Sequence, residues 1–181
     1  MIPPYDHNNV LPPFVGDVTN PFTMSPYTCD IMEVCRFFAT TPRRIAILKG
    51  LVHFRLRCTQ QGIRGRQWID GDFVENLEAE GRAPEHVVAV SLIYNLSDDH
   101  NRSLLRDFPE FADSRLSRQH YLVDHQVFII NLSPEYTVLW SKHWNLLFGH
   151  NRRGVWKGML EIPLYDNSAF DQMALNYLDT L

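Results

Sequence analysis

The chain has 181 residues, of which 17 are Lys or Arg and 21 are Asp or Glu, so its formal net charge is −4. This slightly acidic balance argues against a protein that coats nucleic acid through a basic surface. No stretch comes near the roughly 20 apolar residues of a membrane span. The start, MIPPYDHNNVLPP, lacks the basic and apolar regions of a secretory signal. We therefore expect one soluble domain in the cytoplasm, with no membrane contact.

The three cysteines, Cys29, Cys35 and Cys58, are odd in number and form no C-x-x-C pair. This pattern predicts buried free thiols rather than a disulfide framework or a four-cysteine zinc site. Free thiols are typical of the reducing cytoplasm. The eight histidines show no H-x-x-x-H or H-E-x-x-H spacing, so no zinc site is expected either.

Residues 1–28 hold six of the eleven prolines. They are predicted to form an extended arm, because proline restricts the backbone and lacks an N–H donor. Apolar residues such as Val10 and Leu11 indicate that the arm lies across the folded body or a partner. Residues 29–181 are predicted to form a single domain.

The first predicted helices cover about 30–38 and a segment from Pro42, capped by Thr41, to a stop at Gly62. In the second helix, four apolar residues recur at helical spacing and predict the buried face: Ile45, Leu48, Val52 and Leu56.

Strands and helices alternate in the rest of the chain. They are predicted as a strand at 67–70, a helical turn at 72–77, strands at 86–94 and 120–130 with short helices between them, a helix from Pro134 to 148, a strand at 156–165 and a helix at 168–178. This order predicts an α/β (α+β) fold with a mixed sheet flanked by helices.

Two aspartates, Asp70 and Asp72, flank Gly71 where the first predicted strand ends. In one interpretation Asp72 caps a helix and Asp70 is a turn residue. In the other, the strand continues through the glycine and the two carboxylates share a face that could hold Mg²⁺.

Residues 67–94, QWIDGDFVENLEAEGRAPEHVVAVSLIY, resemble the core of the polymerase-β-like minimal nucleotidyltransferases, in particular an uncharacterised prokaryotic subgroup. That subgroup has a similar proline-rich arm, a helix capped as at Thr41-Pro42, and a lysine-glycine strand as at Lys157-Gly158. The resemblance implies a nucleotidyltransferase-like sheet. In such sheets a Gly-Ser pair opens a helix toward the nucleotide's phosphates, and three carboxylates hold two Mg²⁺ ions.

The resemblance also implies roles for single residues, and several of them depart from the family pattern. Gly71 matches the nucleotide-binding glycine, but Asp72 replaces the serine. His86 and Val88 replace the two metal-binding aspartates, and Asp124 matches the third carboxylate. Val88 cannot bind a metal, and Mg²⁺ prefers oxygen to the nitrogen of histidine. The resemblance thus implies a degenerate site with a vestigial Asp124 and no metal or other cofactor.

We therefore expect a pseudoenzyme that acts by binding a protein, encoded nearby. Relatives implied by the resemblance include antitoxins paired with toxins and parts of phage-defence modules. Two alternatives stay open. One is an active Mg²⁺-dependent nucleotidyltransferase with displaced carboxylates such as Glu85, Asp70 or Asp72. The other is a nucleotide or RNA sensor without catalysis. A homo-oligomer is compatible with each.

Two further groups of residues each allow two interpretations. Arg152, Arg153 and Lys157 form either a basic surface for RNA or phosphate or a solvated loop. Trp140, Trp144 and Phe148 recur at four-residue steps. They predict the core face of a helix, or a protein interface if they are exposed.

Overall fold

A mixed five-stranded sheet lies at the centre of the protein; from one edge to the other its strands begin at Tyr27, Leu160, Gly65, Val87 and Val123. The computed structural model describes residues 1–164 and 168–181. Within them, five strands and six α-helices confirm the predicted α+β class. In chain order these are β1 (Tyr27–Thr28), α1 (Ile31–Phe38), α2 (Pro42–Gln60), β2 (Gly65–Asp70), β3 (Val87–Ile93), α3 (Asp98–Asp107), α4 (Ser114–Tyr121), β4 (Val123–Ile129), α5 (Pro134–Phe148), β5 (Leu160–Leu164) and α6 (Ala169–Asp179).

The strand directions bring distant parts of the chain to one edge of the sheet. Strand β2 is antiparallel to β3 and β5, whereas β3 and β4 are parallel. The last residue of β2, Asp70, therefore lies opposite Val88, and Val88 lies opposite Asp124. The end of β2 and the starts of β3 and β4 meet at this edge.

Helices cover both faces of the sheet. Helices α1, α2 and α6 contribute to one apolar cluster, with residues such as Ile47, Ile69 and Ala89. Helix α5 covers the other face, where Trp144 and Phe148 pack with Trp68, Val90 and Phe128. The predicted core face of α5 is therefore confirmed. None of the helices in the described residues is both long and apolar enough to span a bilayer.

Two predicted strands begin too early. His120 and Tyr121 belong to α4, and Leu122 ends that helix in the left-handed region (φ 57°), so β4 starts only at Val123. Residues 156–159 precede β5, and Trp156 forms an isolated bridge with His150 instead. Aromatic and β-branched residues next to a strand raise its predicted β propensity. Here they belong to a helix end or an isolated bridge and are not part of the strand. The predicted end of this strand, at 165, lies outside the described residues.

The buried face of α2 differs from the predicted one. Ile45 and Leu56 are only half-buried, whereas Arg44 and Arg55 are buried among the apolar residues of the helix. An apolar pattern cannot reveal this face, because two of its members are charged side chains with buried partners. As predicted, Cys29, Cys35 and Cys58 are free and buried.

A chain of polar side chains crosses the core from α2 to β4. The Arg55 guanidinium donates to the Asp171 carboxylate at 2.5 Å and to the Gln67 carbonyl oxygen at 2.9 Å. Gln67 donates to Ser91 at 3.1 Å, and the Ser91 hydroxyl donates to Nε2 of His125 at 2.7 Å. Nδ1 of His125 in turn donates to the carbonyl of Phe111 at 2.8 Å. Every member is buried and paired, which is the condition for such a network to stabilise a fold.

Residues 1–28 lie against the folded body at both ends of the segment. Val10 and Leu11 are fully buried, and Val10 forms a β-bridge with Glu75. Tyr27 pairs with Leu160 as part of β1. Between these anchors, a bridge from Phe14 to Met24 closes a projecting loop. We call residues 14–24 the arm loop.

Candidate functional site

A cleft of about 670 Å³ opens where β2 ends and β3 and β4 begin, beside the second half of α5. This volume lies in the usual range for small-molecule sites. Eight residues were assigned to a nucleotide site, a metal site or a basic surface by the resemblance or by their charge, and seven of them line it: Gly71, Asp72, His86, Val88, Asp124, Arg152 and Lys157. The eighth, Arg153, lines a smaller adjoining depression with Asp72 and Glu80.

The β3–β4 wall of the cleft contains the three positions that the resemblance assigns to metal ligands. Asp124 pairs with the guanidinium of Arg118 on α4. The same carboxylate oxygen lies 3.9 Å from Nε2 of His86. Burial, and secondarily the charge of Arg118, lower the pKa of His86 below its usual value, which favours the neutral imidazole at pH 7. Val88 completes the set with an apolar side chain.

These residues do not fit the two Mg²⁺ ions that the resemblance implies. Mg²⁺ demands oxygen ligands in near-octahedral geometry. Val88 has no ligand atom, His86 offers nitrogen, and the single carboxylate of Asp124 is held by Arg118. Across residues 1–164 and 168–181, no group of three or more His, Cys, Asp or Glu side chains is arranged to hold a metal ion. This set of side chains therefore does not offer the oxygen ligands that a reaction through Mg²⁺ would need.

The turn after β2 follows a path that depends on glycine. Gly71 has φ 83°, and a Cβ at this position would lie 2.7 Å from Cγ2 of Val88. Asp72 is the first residue of a short 3₁₀ turn, Asp72–Val74. The N-cap position of this turn is occupied by Gly71, so no side chain caps it. The interpretation of Asp72 as a helix cap is therefore wrong. Its carboxylate lines the cleft instead, where a phosphate would meet negative charge.

Lys157 is buried inside the cleft wall and does not belong to a basic surface, so that prediction is wrong for this residue. Its ammonium lies 2.5 Å from Oδ1 of Asp70, 3.3 Å from the Gly71 carbonyl oxygen and 3.8 Å from Oε1 of Glu75. Asp70 is the buried last residue of β2, so its interpretation as a turn residue is also wrong. Burial raises the pKa of Asp70 to about 6, although Lys157 opposes this shift. Burial also raises the pKa of Glu75.

The loop after α5 places two arginines at the mouth of the cleft. Arg152 is highly exposed and lies 3.9 Å from Asp72. Arg153 lies 2.8 Å from Glu80. Both guanidinium groups thus face carboxylates of the 72–80 segment, which reduces the positive charge they present to a phosphate or RNA.

Three cations that shape the site carry no recognisable signal in the sequence. Arg118 neutralises Asp124, and Lys157 neutralises Asp70. Arg44, which is buried in α2, donates to the Phe73 carbonyl at 2.6 Å and to the Glu78 carboxylate at 2.7 Å. Arg44 therefore fixes the segment that carries the acidic side of the cleft. Most of these pairs join residues far apart in the chain, so no spacing rule finds them.

The fold and the cleft define an α+β protein with a site at the strand ends of a mixed sheet. The chain belongs to DUF6932, a family of unknown function, whose sequence profile matches residues 3–163. That range includes every element that lines the cleft. Comparisons with curated proteins and with solved structures found no match. The resemblance to nucleotidyltransferases therefore stays a prediction.

Proposed function

We propose that this protein is a catalytically degenerate nucleotidyltransferase-like protein that acts by binding another protein. One observation carries the first half of the proposal. Of the three positions assigned to metal ligands, only Asp124 is a carboxylate, and it pairs with Arg118 beside His86. The remaining position, which lies opposite Asp124 in the sheet, is occupied by Val88.

The placement of the assigned residues supports a retained nucleotidyltransferase-like scaffold. The Gly71 turn follows β2, His86 and Val88 lie at the start of β3, and Asp124 lies on the parallel neighbour β4. The superfamily's chemistry needs its glycine turn and its three ligand positions around one cleft. In this chain the glycine turn and the three assigned positions also border one cleft, although a short 3₁₀ turn follows Gly71 in place of an α-helix. This arrangement supports the proposal that chemistry was lost on a related scaffold.

The charge of the cleft supports the loss of triphosphate chemistry. Five carboxylates line it, against three cations, among the described residues: Asp70, Asp72, Glu75, Glu85 and Asp124 against Arg82, Arg152 and Lys157. Arg152 and Lys157 lie within 4 Å of Asp72, Glu75 or Asp70, so much of their charge is already compensated. Phosphate and carboxylate repel each other at short range unless a cation lies between them. The excess of carboxylates therefore argues against a bound triphosphate, and within the described residues they are not grouped to replace the missing metal ligands.

The arm loop supports the protein-binding half of the proposal. Phe22, which lies in this loop, is 95% exposed. Four more apolar residues of the loop are exposed: Phe14, Val15, Val18 and Met24. Contiguous exposed apolar residues mark protein interfaces, and aromatic side chains often dominate their binding energy. The partner that fits the resemblance is a protein encoded nearby, in a toxin–antitoxin or phage-defence module.

Copurification of the full chain with the product of each neighbouring gene tests this proposal. We expect one such protein to bind, and Phe22→Asp to weaken the complex at least tenfold, because it places a charge in the apolar contact. Leu105→Asp on α3 is the matched control, since Leu105 is also exposed and apolar but lies far along the chain. If the Phe22 variant and the wild type bound equally well, the arm loop would not be the binding surface. If the wild type bound none of the neighbouring gene products, the proposed role would be contradicted.

A further inference from the structure

Helix α5 has a second apolar face on the side away from the sheet. Val138, Leu139 and Leu146 are 70%, 57% and 69% exposed. Together with Glu135 and Lys142 they follow the spacing of a single helical stripe. A shallow groove of about 480 Å³ lies along this stripe, lined by Pro134, Glu135, Val138, Leu139 and Lys142. We call these residues, with Leu146, the outer stripe.

The charges of the outer stripe are arranged symmetrically about its apolar centre. Glu135 and Lys142 lie at equal distances along the helix on either side of the midpoint between Val138 and Leu139. Neither side chain forms an ion pair with any other residue in the described ranges. The stripe therefore presents one anion, an apolar centre and one cation in a row; the Glu135 carboxylate also interacts with Ser133 and its own backbone N–H at the start of the helix.

This order is complementary to itself when a second copy is turned end for end. A two-fold axis through the midpoint brings Val138 opposite the partner's Leu139. The same rotation brings Glu135 opposite the partner's Lys142, and Lys142 opposite the partner's Glu135. Self-complementarity of one patch is what a two-fold interface requires. We propose that a second copy of this chain docks on the outer stripe, so that two antiparallel α5 helices form a homodimer.

The proposed dimer does not rest on the proposed function, because the groove that it uses shares no lining residue with the cleft and includes none of the arm loop. Trp144 and Phe148, which line the cleft from α5, lie on the sheet-facing side of the helix, whereas His143 is one turn from Leu139 and borders the outer stripe. A single pair of helices buries little area by the standard of permanent complexes. The dimer is therefore concentration-dependent, with the two charge pairs setting its orientation and register.

Sedimentation analysis of the full chain over a wide concentration range tests the proposal. We expect a monomer–dimer equilibrium in the wild type. Glu135→Lys and Lys142→Glu should each weaken the dimer about tenfold or more, because each places like charges opposite one another at both ends of the interface. The double variant E135K/K142E restores opposite pairs and should recover most of the wild-type affinity.

Two further variants separate docking from general effects of surface changes. Val138→Asp should abolish the dimer, whereas Leu105→Asp, on the exposed surface of α3, should leave it intact. A wild type that stays monomeric at every concentration would overturn the proposal. So would a dimer that the two charge reversals do not weaken, or one that the double variant does not restore. Circular dichroism of each variant verifies that the fold is retained.

Discussion

Asp171→Ala is expected to lower the free energy of unfolding by about 3–5 kcal/mol, the usual cost of removing one partner from a buried ion pair. Arg55 and Asp171 are both almost completely buried, and their nearest atoms lie 2.5 Å apart. Without the carboxylate, the guanidinium keeps the Gln67 side-chain oxygen and the Pro163 carbonyl as partners among the described residues. The remaining positive charge then lies in the core without a counter-charge. Urea denaturation at pH 7 measures the loss.

Asp179→Ala is the matched control for this prediction. Asp179 lies on the same helix, α6, and pairs with Lys49 at 2.7 Å, but both side chains are exposed. Exposed pairs contribute little, so we expect a change below about 1 kcal/mol. If the two variants lost similar amounts of stability, burial of the Arg55–Asp171 pair would not explain its effect.

Acidification is expected to destabilise the protein through His125, by about 3 kcal/mol between neutral pH and pH 4.5. Burial lowers the pKa of His125 to about 3, whereas a histidine in the unfolded chain has a pKa near 6.5. Between these two values the unfolded state binds a proton that the folded state does not. The contribution of His125 is therefore complete above about pH 6.5 and is lost as the pH falls toward 3.

Comparison of the wild type with His125→Gln isolates this contribution. Asp70 acts in the opposite direction, because its pKa is raised in the folded state and its protonation favours folding between about pH 4 and 6. Both proteins contain Asp70, so the difference between their pH profiles reports His125. We expect the wild type to lose more stability than the variant from pH 7.5 to pH 4.5. Parallel profiles would show that the imidazole is not held neutral by the core.

Local rules predicted the helices well, because their signals lie in adjacent residues. Thr41 caps α2 with Pro42 in the first turn, and Ser133 caps α5 before Pro134. The register between strands and the pairing of distant residues have no such local signals. The alignment of Val88 with Asp124 depends on how two distant strands pack, and sequence spacing contains no information about that packing.

Seven of the assigned residues line one cleft, but the sequence did not predict their charge pairing. The assigned residues meet at one cleft, yet Arg118 and Lys157, which neutralise Asp124 and Asp70, were not given these roles. A cation that pairs across the fold looks in sequence like any solvated surface charge. Lys157 illustrates the difference: both interpretations, the basic surface and the solvated loop, placed it in contact with solvent, but it is only 3% exposed.

Manganese titration followed by electron paramagnetic resonance shows whether the cleft has lost its metal site, and it needs neither a substrate nor an acceptor. Mn²⁺ accepts the oxygen ligands that Mg²⁺ uses and reports its free concentration. We predict no stoichiometric site in the wild type, and the appearance of one in His86→Asp/Val88→Asp, which supplies the two missing carboxylates. A stoichiometric site in the wild type that Asp124→Asn removes would contradict the account and favour an active enzyme.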